Sequence, residues 1–335
     1  MMPGMLAARY DTAGSDAGQI RIVEMEVPEP GEGEVLVRMC VSGVNPTDWK
    51  TRTTGGLTAG DFGWIVPNQD GAGILEATGP GVDHDRVGEP VWLWECQWQR
   101  AMGTAAQYIV VPEHHAVPLP DHATMDMGAG LGIPAMTAHR CLFADGGIDG
   151  ASILVHGGAG AVGHAAIQLA ARAGGRVAAT VSSAEKGELA RQAGAGLVVN
   201  YREEDVADVL RGWAPHGVDR VVEVAIGANL ALDGAVLAPY GTIASYGAPD
   251  GPLPPSRDLI AKNARLEFVL VYTMPDEAKR QAVTDITYAL EEDALQPLPS
   301  VRFPLEETQA AHEAVESGFI GKVLIDVPQE PDQEE

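Results

Sequence analysis

The chain has 335 residues, is 45% hydrophobic and 21% charged, and carries a formal net charge of −25. That length suits two globular domains with sizeable cores. The charge argues against a nucleic-acid partner, because duplex binding needs clustered cations, and no apolar run reaches the roughly 20 residues that span a membrane. Met1-Met2-Pro3-Gly4 offers neither the basic region nor the apolar core of a secretory leader. Cys40, Cys96 and Cys141 are odd in number and far apart, which favours a reducing cytoplasm over a disulfide framework.

The first part of the chain is strand-rich. Loosely alternating runs at 20–27, 34–41, 71–77, 90–94 and 106–111 are punctuated by Gly and Pro. From about residue 126 the rhythm changes to helix–strand alternation. Strands are expected at 152–156, 176–181, 197–200, 219–224, 241–246 and 266–272, with helices between them at 184–193 and 203–211. This spacing implies α/β architecture with a parallel, doubly wound sheet. A further helix is expected from Pro275 to Leu290 and a closing strand at 321–327. The acidic, Pro-containing tail from Pro328 reads as disordered.

The most informative stretch follows Ile153-Leu154-Val155. This apolar run ends in Gly158-Ala159-Gly160-Ala161-Val162-Gly163, and a helix over 165–173 follows, closed by Gly174-Gly175. Strand, glycine turn and helix form the first unit of a dinucleotide-binding fold. The glycines let the backbone approach a pyrophosphate at the positive end of the helix. An NAD site usually carries Asp or Glu about 20 residues further on, bonded to the ribose 2′-OH. Here that region reads Ala179-Thr180-Val181-Ser182-Ser183, with Lys186 just after. Small hydroxyls and a cation suit a 2′-phosphate, which points to NADPH. Ser182-x-x-Glu185 also reads as a helix capping box, and the two roles can coexist.

Further landmarks are Val44-Asn45-Pro46-Thr47-Asp48-Trp49-Lys50, Asp70-Gly71-Ala72-Gly73, Gly132 to Ala138, Val199-Asn200-Tyr201-Arg202, Tyr240-Gly241-Thr242-Ile243 and Gly321-Lys322-Val323. With the glycine loop, their order resembles the zinc-free branch of the medium-chain dehydrogenase/reductase superfamily, the zeta-crystallin type NADPH:quinone oxidoreductases. The resemblance implies a GroES-like β-rich catalytic domain (1–126 and 273–335) around a Rossmann domain (127–272). It implies that the glycine loop, Ser182, Ser183, Lys186 and Tyr201 hold NADPH, that Ser245-Tyr246-Gly247 flank the nicotinamide, and that Lys322 lies near the cofactor at the domain cleft. Asn45 and Thr137 match family positions beside nicotinamide and substrate. Trp49, Lys50 and Trp64 become candidates to line the substrate site. A Tyr often found five residues after the Asn is replaced by Lys50, so a fixed proton donor is in doubt. The family's oligomers, often dimers, make Leu266 to Tyr272 a candidate interface strand.

Zinc enzymes of the superfamily use a Cys and a His-Glu pair. Here the Cys position near Asn45 is not Cys, the His-Glu position reads Gln69-Asp70, and three Cys cannot build a Cys₄ site. His114-His115 are adjacent, and neighbours on a strand face opposite ways. No metal is therefore expected. The reading that results is a cytoplasmic NADPH-dependent, metal-free reductase of quinones or similar conjugated acceptors. An enoyl or enone reductase is the nearest alternative. A non-catalytic zeta-crystallin-like binder of NADPH or RNA is a third.

Overall fold

A computed structural model describes residues 4–55, 62–249, 251–253 and 256–329. The described residues form two compact units, one up to Ile133 and again from Pro299, the other from Pro134 to Leu298.

The first unit holds β1 (Gly4–Asp11), β2 (Arg21–Glu26), β3 (Glu34–Val44), α1 (Pro46–Thr54), β4 (Trp64–Ile65), β5 (Asp70–Thr78), β6 (Pro90–Leu93), β7 (Tyr108–Pro112) and β8 (Ala116–Pro118). Helix α2 (Met125–Phe143) starts here and contains Pro134. Long β3 organises the unit. Val35, Val37, Met39 and Val41 are buried with half-buried Arg38 and Cys40 between them, and Leu36 and Ser42 to Val44 are buried too, so the strand is covered on both faces over part of its length. It pairs antiparallel with β5 and β7. His114 and His115 are not on a strand: they lie in a 3₁₀ turn, Glu113–His115, so the strand argument for their divergence does not hold. Trp92 and Trp94 are buried, although β6 ends between them at Leu93.

The second unit alternates β9 (Ser152–His156), α3 (Ala161–Arg172), β10 (Arg176–Val181), α4 (Ala184–Gln192), β11 (Leu197–Asn200), α5 (Val206–Trp213), β12 (Val218–Glu223), α6 (Ile226–Val236), β13 (Leu237–Ser245), α7 (Arg257–Ala261) and β14 (Arg265–Phe268), then α8 (Asp276–Glu291). All strand pairs are parallel, in the order β11-β10-β9-β12-β13-β14. Numbered within the sheet, that is 3-2-1-4-5-6, the dinucleotide-binding order whose switch point lies between its first and fourth strands. The strand expected over 266–272 stops at Phe268, because Thr273 bonds back to Leu270 and closes a 3₁₀ turn over Val271–Thr273.

The chain then returns to the first unit as β15 (Ser300–Pro304), α9 (Thr308–Glu316) and β16 (Lys322–Asp326). β16 pairs antiparallel with β3, setting Val323 opposite Val44. The compact units differ from the expected domain limits at both junctions: 127–133 go with the first unit, and 273–298, with α8, go with the second. Amphipathic α8 gave no sign in sequence of which core it would join. Of the tail, Pro328 and Gln329 are hydrogen-bonded, Pro328 accepting from Gln107 and Gln329 donating to Met39; residues 330–335 lie outside the described set. No helix among the described residues is long and apolar enough to cross a membrane.

Candidate active site

In the first unit the site grows from the end of β3. Asn45 caps α1 and Pro46 follows at the first helical position, where a missing N–H costs nothing. Asn45 N donates to Asp48 Oδ2 at 2.6 Å, which fixes the cap from within the helix. The Asn45 side chain is 2% exposed and spans two opposite charges. Its Nδ2 donates to Asp70 Oδ2 at 2.7 Å, and its Oδ1 accepts from Lys322 Nζ at 2.8 Å. Lys322 Nζ lies 4.0 Å from Asp70 Oδ2. Three strands thus deliver the three residues: β3 ends before Asn45, β5 begins at Asp70 and β16 begins at Lys322.

The backbone locks this cluster. Asp70 Oδ1 accepts from Ile133 N at 2.9 Å, inside α2 just before Pro134. A Cβ on Gly132 would come within 2.1 Å of that same oxygen, so only glycine fits. Gly43 lets α2 approach β3, since a Cβ there would lie 1.9 Å from Ala129 O. Burial pushes the Asp70 carboxyl up to about 6, against the pull of Lys322 and Asn45. Burial also pushes Asp48 up to about 8, with Asp70's charge adding and the Asn45 N–H opposing. Burial holds Lys322 below the ordinary lysine range, and the Asp70 and Asp48 carboxylates work the other way.

The other substrate-lining candidates are less committed. Trp49 is half-buried on α1 and Lys50 is exposed, its ammonium 5.7 Å from the Trp49 ring. Trp64 lies in β4, pairs opposite Asp11 and packs against a core containing Met5 and Val66. Arg9 lies 5.5 Å over its ring. Thr137 is buried within α2 and belongs to the second unit.

In the second unit, the loop after β9 has the shape its glycines imply. Gly157 takes φ +68°. A Cβ on Gly158 would lie 2.8 Å from the Ala179 Cβ, and one on Gly163 would lie 2.3 Å from Gly157 O. These two glycines therefore serve close packing of loop, helix and β10. Gly160 caps α3 with no side-chain hydrogen bond, so the chain itself leaves the first-turn N–H groups to a ligand. A Cβ on Gly160 would meet only Gly157 O, at 3.3 Å. Ala161 and Val162 open the helix.

Beyond β10 the capping assignment shifts by one residue. Ser183, not Ser182, is the N-cap of α4 and accepts from Lys186 N. Ser182 is thereby free of the helix end, and its Oγ accepts from Lys186 Nζ at 3.1 Å. A hydroxyl and an ammonium are thus gathered at the end of the second strand. The nearest carboxylate in sequence, Glu185, is exposed. Tyr201 follows β11 and is 53% exposed. Ser245 Oγ donates to Gly247 O at 3.0 Å, and Tyr246 N to Glu223 O at 3.0 Å. A Cβ on Gly247 would lie 1.9 Å from Val224 O, so this turn hugs the end of β12.

Sequence reasoning passed over a second buried cluster. His156, Glu223 and Asp233 place ligand-type atoms within 4.8 Å of one another. His156 Nε2 is 2.9 Å from Asp233 Oδ1 and 3.4 Å from Glu223 Oε2, and its Nδ1 is 2.9 Å from Thr180 Oγ1. Asn229 Nδ2 donates to both Glu223 oxygens at 3.1 Å. The members are scattered through the sequence, and the only local sign was a His immediately before the glycines.

A 3-2-1-4-5-6 parallel sheet with a glycine loop at its switch point, carried with a β-rich unit that the chain enters twice, defines a two-unit dehydrogenase or reductase. Comparison with known proteins agrees. Residues 31–121 match the model of the alcohol dehydrogenase GroES-like domain and 161–287 that of zinc-binding dehydrogenases. The chain is 29% identical to human quinone oxidoreductase, over 94% of this chain and 95% of that one. It is 30% identical to the rat quinone oxidoreductase, over 90% and 92%. A mycobacterial protein solved in complex with NADPH superposes with a TM-score of 0.81 at 29% identity, covering 96% of this chain and all of the other. The chain belongs to the medium-chain dehydrogenase/reductase family of oxidoreductases.

Proposed function

We propose that this protein is an NADPH-dependent reductase that passes hydride to a quinone or a similar conjugated carbonyl acceptor without a metal. The observation that carries the reading is the pairing of Lys186 Nζ with Ser182 Oγ beside the glycine loop's strand, where an NAD site would present a carboxylate. When bound, the nicotinamide supplies the hydride. The α3 N-terminus and the glycine loop would hold the pyrophosphate. Ser182, Lys186 and Tyr201 would hold the 2′-phosphate, and Ser245 to Gly247 would flank the ring. Asn45 would orient the acceptor oxygen, with Thr137 and the Trp49 face as further contacts.

The metal-free reading rests on the donors present. The site offers the Asn45 amide, the Asp70 and Asp48 carboxyls and the buried Lys322 ammonium, which would repel a divalent cation. A quinone suits such a site, because its reduction leaves a stable hydroquinone anion that water can protonate. Names of the relatives support the same acceptor class. A homodimer is supported by β14, which ends its sheet with Leu266 and Phe268 exposed.

The test follows nicotinamide absorbance with 1,4-benzoquinone, 9,10-phenanthrenequinone and 2-hexenal, each with NADPH and NADH. Rapid quinone turnover with NADPH supports the reading. Turnover confined to 2-hexenal transfers the protein to the enone reductases. Equal rates with NADH would sink the 2′-phosphate argument.

A further inference from the structure

We propose that Lys322 and Asp70 lock the Asn45 amide in one orientation, making its uncommitted N–H a fixed donor for a phenolate- or enolate-type oxygen. The inference rests on the reductase reading and deepens it: Asn45 becomes the residue that touches the reduced acceptor, and Lys322 and Asp70 become positioning residues.

The amide has two ends and the cluster addresses both. Oδ1 faces the Lys322 ammonium at 2.8 Å and Nδ2 faces the Asp70 carboxylate at 2.7 Å. Turning the amide over would set N–H against ammonium and carbonyl against carboxylate, replacing two charge-assisted bonds with two repulsions. The orientation is therefore held from both sides. Asp70 cannot swing away, since its Oδ1 accepts from Ile133 N and its backbone carbonyl accepts from Thr104 Oγ1 at 2.6 Å. Lys322 is itself buried, and its ammonium has Asn45 Oδ1 at 2.8 Å and Asp70 Oδ2 at 4.0 Å. The Asn45 backbone is pinned by Asp48.

Nδ2 carries two hydrogens and spends one on Asp70. The other has no acceptor among the described residues. It is polarised from behind, because the ammonium draws electron density toward Oδ1. Such a preorganised donor favours the state in which charge has developed on oxygen. Hydride addition to a quinone creates that state. The transferred pair forms the new bond, the displaced π pair settles on oxygen as a phenolate, and the proton that completes the hydroquinone comes from water.

The probe is 4-nitrophenol, whose anion absorbs in the visible, compared with the neutral 4-nitroanisole. Wild-type protein without acceptor should bind the phenolate about tenfold or more tighter than the ether. Lys322→Met and Asn45→Ala should each reduce that preference to near unity, and Lys322→Arg should restore part of it. In Lys322→Met the phenolate preference should fall by a larger factor than NADPH affinity, read by nicotinamide fluorescence, which separates this role from a direct cofactor contact. If Lys322→Met does not fold, the charge-balanced pair Asp70→Asn with Lys322→Met takes its place. A phenolate preference that is absent in wild type, or that survives in these variants, overturns the proposal. A wild type that keeps the preference but reduces no quinone overturns only the quinone reading.

Discussion

The two units each bury a cation among carboxylates next to the end of a strand, and the two clusters behave oppositely. In the first unit the cation is Lys322, facing Asp70, with the Asn45 amide bridging them. In the second it is His156, facing Asp233 and Glu223. Burial lowers the Lys322 pKa but the Asp70 and Asp48 charges oppose it, and the Asn45 amide bonds both partners, so the first cluster is a directed dipole suited to orienting something. The imidazole's charge is conditional. Burial works against it, but the Asp233 hydrogen bond and the Asp233 and Glu223 charges outweigh burial and raise the His156 pKa above its usual value. The second cluster is therefore a proton store that ties β9, β12 and α6 together.

The largest effect should come from breaking the directed dipole. Asp70→Ala leaves a buried ammonium without its carboxylate, and leaves Asn45 Nδ2 and Ile133 N without an acceptor. Removing one partner of a buried pair costs about 3–5 kcal/mol. Urea denaturation measures it, and a loss below about 1 kcal/mol would mean that water reaches the cluster and that the lock is weak.

The proton store should answer to pH. Burial and the neighbouring Asp233 raise the Glu223 carboxyl, while His156 opposes, and His156 is itself raised. Both groups thus hold protons in the folded state at pH values where the unfolded chain has released them. The cluster's own contribution to stability therefore falls as pH rises, from the ordinary glutamate value of 4.5 upward through the raised His156 value, while buried His139, His164 and His312, all lowered by burial, work the other way below pH 6.5. The slope is about 1.4 kcal/mol per pH unit for each extra proton held. His156→Gln should flatten the part above pH 6.5, the ordinary imidazole value. Wild-type and His156→Gln curves that run parallel across that range would show that the cluster exchanges no proton on folding.

The glycine loop offers a smaller and more local contrast. Gly163→Ala forces a methyl to within 2.3 Å of Gly157 O, whereas Gly160→Ala adds one with only a 3.3 Å neighbour. The first should cost about 1–3 kcal/mol of stability and weaken NADPH binding, the second little stability. Parallel melting and fluorescence titrations check both. Equal melting losses would contradict the packing account.

These contrasts show how far sequence carries. The second unit was legible because its strands are continuous apolar runs and helices α3 and α4 are followed by Gly174 and Gly194: β9, β10 and β11 fall where the pattern set them. Asn45 and Lys322 were recognisable as site residues through the family's motifs. That they touch was not, because 277 positions separate them and the antiparallel pairing of β16 on β3 brings them together. The His156 cluster was hidden for the same reason. Local capping was misjudged by one residue, since Ser182 and Ser183 have the same chemistry and only backbone angles decide which one caps.

That adjacent serine pair supplies the finest test. Ser183 Oγ accepts from Lys186 N at the start of α4, while Ser182 Oγ accepts from Lys186 Nζ. One serine serves the fold and its neighbour the proposed phosphate site. Ser183→Ala should therefore lower stability by about 1 kcal/mol, the usual worth of a cap, and leave the ratio of NADPH to NADH affinity unchanged. Ser182→Ala should leave stability unchanged and lower that ratio by a few-fold, and Lys186→Ala by about tenfold, or roughly 1.4 kcal/mol. Because one lysine contributes its N–H to one serine and its ammonium to the other, Lys186→Ala should alter only the second role. Its backbone N–H remains to meet Ser183, so its melting temperature should match that of Ser182→Ala rather than of Ser183→Ala. If Ser183→Ala changed the cofactor ratio and Ser182→Ala did not, the two serines would have exchanged roles, and the capping box first read at Ser182 and Glu185 would be the better description of this turn.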